Sequence, residues 1–192
     1  MLKKIPYNNS VEILSRYQAS DNVLALDLRQ LPPEAAMKSL LESGDISGYI
    51  LYVSHALPVR EGVCWALACY KFSVLSLNRQ EVEVLDLVRQ WILEPIEKLR
   101  QVLMQWAEAL GSQCALGWLC LAAVWSGGGS IAEADNPIVS PPAFLHAHAL
   151  LGAISQLIVN AEDRPQLNDF LINIDKLAQE IALGKWPALE NM

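Results

Sequence analysis

Apolar positions recur along this chain at steps of three and four residues, a spacing that predicts helices almost throughout. The clearest case is Leu167, Phe170, Leu171, Ile174, Leu177, Ala178 and Ile181, opposed by Asn168, Asp169, Lys176, Gln179 and Glu180. Pro165 suits the first turn of that helix, and Gly184 suits its stop, with Pro187 beyond. A second amphipathic helix is expected over about 79–93, where Val84, Leu85, Val88, Trp91 and Ile92 form the stripe. A third is expected over about 96–110 on Ile96, Leu99, Leu103, Trp106 and Leu110, with Pro95 at its first position and Gly111 past its end.

Three further segments, 59–75, 114–125 and 142–159, are apolar nearly all round. A helix without a polar face must be covered on most sides, so these three are expected to form a central layer. Shorter helices are expected over 11–18 with Ser10 as N-cap, over 33–43 after Pro32, and over 46–56 with Asp45 as N-cap. Val23 to Leu28 alternates with a period of two but has no strand partner, so it reads as extended chain or a short helix. The expectation is an all-α, single-domain bundle of about seven or eight helices with apolar central helices. It spans 1–192, and 1–30 is the part least defined by pattern.

Composition agrees with a large buried fraction: 53% of residues are hydrophobic and 18% charged, against about 25% charged in an average soluble protein. The longest apolar run, Cys114 to Trp125, falls short of the roughly 20 residues of a membrane span, so it reads as a core helix. Lys3 and Lys4 are not followed by a hydrophobic stretch, so the N-terminus does not read as a secretory signal, and a cytoplasmic location is expected. Net charge is −7 and the basic residues are scattered in sequence, which argues against nucleic acid and anionic membrane partners. Cys64, Cys69, Cys114 and Cys120 lie in apolar runs without a Cys-x-x-Cys pair and read as buried thiols.

Candidate chemistry is thin. Gly127-x-Gly129-x-x-Ala132 matches a loosened dinucleotide fingerprint, but that motif works between a strand and a helix, and here a helix precedes it. The whole 126–141 stretch reads as a structural connector, its glycines (Gly128 among them) ending one core helix and Pro141-Pro142 starting the next. Ser126 and Ser130 lack the Gly-x-Ser-x-Gly context of a nucleophile elbow. His146 and His148, two apart on a helix, project about 200° apart and are not expected to share a metal. His55 stands alone at the end of an apolar segment. Glu94 and Glu97 flank Pro95, and Glu61 follows Pro58, places where a helix N-terminus favours negative charge. No cofactor or metal set emerges. Of six tryptophans, five lie on apolar stripes; Trp186 lies past the helix stop, where it either folds back on the domain or meets a partner.

Two motifs carry a resemblance: His55-Ala-Leu-Pro-Val-Arg-Glu-Gly-Val-Cys-Trp-Ala66 and Trp125-Ser-Gly-Gly-Gly-Ser130 with the proline-bearing stretch after it. At these positions the chain resembles a bacterial family of helical proteins classed as a domain of unknown function. Cys64 stands where the family pattern has the first of two tryptophans, and the loop has one extra glycine. The resemblance covers about 50–160 and implies cytoplasmic proteins, some associated with secretion-system gene clusters. It brings no catalytic residues; its recurrent polar positions are His55, Arg60 and Glu61 here, which equally suit hydrogen bonding at a helix junction.

By elimination, the leading expectation is a non-enzymatic adaptor or accessory protein, with another protein as partner and Trp186 plus the outer side of the last helix as candidate surface. A helical binder of small apolar ligands comes second, and an enzyme whose site forms only in space third. Homo-oligomerisation is left open.

Overall fold

The computed structural model describes residues 2–73, 76–127, 129–131, 137–159 and 164–189. Among the described residues there are ten α-helices and no strand. Two short helices come first, α1 (Val11–Leu14) and α2 (Asp21–Ala25), then α3 (Pro33–Ser43), α4 (Ile46–Ala56) and α5 (Val59–Cys69). The second half holds α6 (Arg79–Leu93), α7 (Glu97–Leu110), α8 (Ala115–Val124), α9 (Leu145–Val159) and α10 (Arg164–Ala182). No helix among the described residues is long and apolar enough to cross a membrane.

Local chemistry sets most boundaries. The Asp45 carboxylate accepts the Gly48 N–H at 2.9 Å and starts α4. Asn78 and Glu81 form a reciprocal capping box at α6, with bonds of 3.0 and 2.8 Å. Gly111 ends α7 at φ +69°, a conformation that costs a residue with a side chain. Two of the predicted stripes then face inward: Val84, Leu85, Val88, Trp91 and Ile92 of α6 are all buried, as are Phe170, Ile174, Leu177, Ala178 and Ile181 of α10. On α7 Leu103 is buried, but Ile96, expected on its stripe, is exposed.

The three apolar helices occupy the centre. Every residue from Val63 to Cys69 on α5 has zero exposure. α8 packs along α9 and α7, α9 also meets α4 and α5, and α10 lies against α5. α10 is tied down by polar bonds: Trp65 Nε1 donates to the Ile174 carbonyl at 2.8 Å, and the Tyr49 hydroxyl donates to Asp175 at 2.7 Å.

Four local expectations are corrected. Ser10 does not cap α1, which is a single turn. Its side chain is fully buried, donates to the Leu31 carbonyl at 2.9 Å and shares a 2.6 Å hydrogen bond with the Tyr52 hydroxyl, so tertiary bonding displaces the cap. The helix expected over 59–75 stops at Cys69 and tightens into a 3-10 turn, Tyr70–Phe72. Pro95 lies just before α7, whose N-cap is Ile96. α9 opens at Leu145, after Pro142 and Phe144 supply its first carbonyls. Of the two alternatives expected for Val23 to Leu28, the short helix holds for its first three residues, inside α2, and Leu28 opens a 3-10 turn to Gln30.

Chain ends fold onto this body. The Lys4 N–H donates to the Ala182 carbonyl at 2.8 Å, and Leu2 and Ile5 are buried. The tail after α10 is held by Lys71, which donates to the Pro187 carbonyl at 3.2 Å, and by Arg89, which donates to the Ala188 carbonyl at 3.3 Å.

Candidate functional site

The turn between α4 and α5 is where the His55-Ala-Leu-Pro-Val-Arg-Glu motif folds, and a cleft of about 440 Å³ opens beside it. Its floor is built by this turn, from His55 through Leu57 and Pro58 to Glu61. One wall is the N-terminal arm with Lys3, Lys4, Pro6 and Tyr7, joined by Arg16 just beyond α1; the other is the approach to α9, with Phe144 and His146. The motif's three polar residues therefore split. His55 and Glu61 border the cleft, while Arg60 points away and donates to the Ile92 carbonyl at 3.0 Å, closing the end of α6.

His55 is the least expected member. It is 1% exposed, and neither ring nitrogen has a hydrogen-bond partner, although an imidazole always carries at least one donor. Its ring stacks on Tyr17 with centroids 4.5 Å apart, and meets Phe144 at 5.6 Å and His148 at 5.7 Å. Burial, followed by the nearby His148, His146 and Arg16, pulls its pKa down to about 3. His146, also buried, is pulled down to about 4, by burial first and then by Arg16 and His148. Both rings are thus neutral at physiological pH. His146 and His148 do project differently, one buried and one exposed, yet both come close to His55. Among the described residues, no three of His, Cys, Asp and Glu are grouped as a metal site would need.

Arg16 is fixed with unusual completeness for a half-exposed cation. Its guanidinium lies 5.0 Å from the centre of the Tyr7 ring and 4.9 Å from that of Phe144, and it donates to the His55 carbonyl and the Tyr7 hydroxyl. No ion pair among the described residues involves it. Phe144 holds φ at +62°, the left-handed region that a bulky residue enters only under constraint. Glu61, by contrast, is neutralised by Lys4 at 2.6 Å.

Trp186 folds back on the outer side of the same junction and is half-buried. Lys4 Nζ lies 5.5 Å and the Arg60 guanidinium 5.4 Å from its ring centre. Lys4 thus touches both Trp186 and the cleft.

The glycine-rich connector is used structurally where it is described. Gly127 turns at φ +91° after α8, and a side chain on Gly129 would run into the buried Arg100 guanidinium at 2.6 Å. Arg100 is itself bidentate to Glu97, at 2.7 and 2.6 Å, and that pairing holds the Glu97 carboxyl below its usual pKa. Gly128 and Ala132 lie outside the described residues.

The sequence singled out His55, Glu61 and His146 at this cleft, but not Tyr7, Arg16 or Phe144, and Lys3 and Lys4 only as charges at the N-terminus. Arg16 meets His55 across 39 positions and Phe144 is 89 positions from His55, so no local pattern could have joined them. Pro141-Pro142 was the nearest signal, marking a tight entry to α9 without revealing what it presents.

Comparison with known proteins adds one assignment. Residues 36–182 match the model of a family described as "Family of unknown function (DUF6931)", and the chain belongs to that family. No curated protein and no solved structure matches it. The matched segment includes His55, Glu61, Phe144 and His146; the arm that carries Lys3, Lys4, Tyr7 and Arg16 precedes it.

Proposed function

We propose that this chain is a non-enzymatic binding protein whose α4–α5 cleft receives a small molecule. One observation carries the reading: His55 lies against the cleft, buried, with both ring nitrogens unpartnered. Leaving a buried donor unsatisfied costs roughly 1–3 kcal/mol, and a ligand that draws the ring toward the cleft and accepts from it would recover that cost. The constrained Phe144 backbone beside it is a second expense the fold carries at the same place. A cleft of this size, lined by aromatic and aliphatic groups with a few convergent polar ones, fits the usual dimensions of a ligand site. The four cysteines form no disulfide with one another, in keeping with the reducing cytoplasm we propose as its compartment.

The adaptor reading, with a protein partner that could belong to a secretion system, keeps one supporting observation. Ile172 on the outer side of α10 is 66% exposed, and part of Trp186 is open to solvent on the tail that follows. The ligand reading accounts for more of the structure and is preferred.

A thermal-shift screen of a small-metabolite library against the purified chain tests it, with every hit repeated on His55→Phe. Compounds that raise the melting temperature of the parent protein and not of the variant are expected. An absence of stabilising compounds, or equal stabilisation of both proteins, would discard the cleft as a ligand site.

A further inference from the structure

We propose that the ligand of this cleft is a small organic carboxylate, its charge set against Arg16 and its apolar body against Tyr7, Leu57, Pro58 and Phe144. The inference rests on the reading of the cleft as a ligand site and adds the chemical class.

The charge balance selects an anion. The chain as a whole carries −7, yet this cleft gathers Lys3, Lys4 and Arg16 against a single carboxylate, Glu61. Lys4 already neutralises Glu61 at 2.6 Å, so Lys3 and Arg16 are left without an anionic counterpart among the described residues. The first turn of α5, Pro58 to Glu61, borders the cleft, and the positive end of that helix adds to the same field. His146 and His55 also border the cleft, and both imidazoles are neutral, so they neither add to nor offset the charge of the cations.

Geometry then narrows the anion. Tyr7 and Phe144 grip the guanidinium of Arg16, and its described bonds go only to the His55 carbonyl and the Tyr7 hydroxyl. A guanidinium has five N–H donors in a planar fork that suits the two oxygens of a carboxylate. A free phosphate would have to shed its hydration against Leu57, Pro58 and Phe144 with one fixed fork to receive it, an unfavourable exchange. A monoanion with an aromatic or aliphatic body satisfies the fork and the apolar walls together.

Calorimetric titration of the full chain at neutral pH, with benzoate, hexanoate, benzamide and inorganic phosphate as probes, tests the class. One or both carboxylates are expected to bind saturably, one per chain, at least about tenfold more tightly than benzamide or phosphate. Arg16→Lys keeps the charge but not the fork and is expected to weaken carboxylate binding by about tenfold or more. Lys3→Gln, at an exposed position that the fold does not use, is expected to weaken it less and to steepen no unfolding transition. Benzamide binding as well as benzoate would overturn the carboxylate while leaving the cleft a ligand site. Phosphate binding more tightly than either carboxylate, or no carboxylate binding at millimolar concentration, would overturn it too. The metabolite screen judges the ligand site independently of these probes.

Discussion

Phe144 shows how much of the cleft is set by one backbone angle. At φ +62° the residue aims its ring at Arg16 and His55, and the angle has to be held by the surrounding packing. Phe144→Ala and Phe144→Gly both remove the ring, but only glycine is at ease there. The glycine variant is therefore expected to be the more stable of the two by about 1 kcal/mol in denaturant unfolding. An alanine variant of equal or greater stability would show that the angle is not strained. The buried histidines give a second residue-level outcome. Their folded pKa values, about 3 for His55 and about 4 for His146, lie below the ordinary 6.5. Between pH 6.5 and 4 the unfolded chain takes up protons that the folded chain refuses, so stability is full above that window and falls as pH drops through it. The melting temperature is expected to be lower at pH 5 than at pH 7, and His146→Gln to shrink the difference. Glu97, whose pKa is depressed by Arg100, adds its own loss only at lower pH. None of this was legible in the sequence: a histidine's protonation depends on what buries it, and His55 is buried by groups far along the chain.

At the scale of elements the sequence said much more. α3 and α4 fall at the limits that Pro32 and Asp45 predict, and α6 at those its apolar stripe predicts, because these signals act on their own neighbours. Ser10 failed as a cap because a distant tyrosine competes for its hydroxyl, a contact that no local rule contains. How closely two helices approach was also hidden. A side chain on Gly152 of α9 would meet the Trp118 ring of α8 at 2.6 Å, and one on Gly117 would meet the Gly111 carbonyl oxygen at 2.0 Å. Helix propensity alone favours alanine over glycine by about 1 kcal/mol at either site. Overpacking reverses that preference, and both Gly152→Ala and Gly117→Ala are expected to lower stability by roughly 1–3 kcal/mol. Gly117→Ala should be the worse, since its obstacle is backbone. A variant that melts higher than the parent would show that the contact yields.

At the scale of the whole molecule, the all-α bundle with α5, α8 and α9 inside follows from apolarity that runs around a helix rather than along one side. The joining of the two ends does not follow from any such pattern. Trp186 lies against Lys4 from the arm and Arg60 from α5, so it links three distant parts of the chain. Trp186→Ala removes two cation–π contacts and part of a buried ring, and a stability loss of about 1–2 kcal/mol is expected. An unchanged melting temperature with a lost protein complex would instead favour the tail as a docking anchor.

The arm has a wider meaning for how such a protein comes to recognise anything. The segment shared with the family, 36–182, supplies the scaffold and the neutral imidazoles, whereas Lys3, Tyr7 and Arg16 come from a strip of chain laid over it. If the cleft binds the proposed carboxylate, its cations and its apolar walls are thus written largely in separate stretches of the sequence. On the proposed ligand reading, exchanging Lys3, Tyr7 and Arg16 while keeping the buried Leu2, Ile5, Ser10 and Ile13 would change the guest and leave the helices beneath as they are.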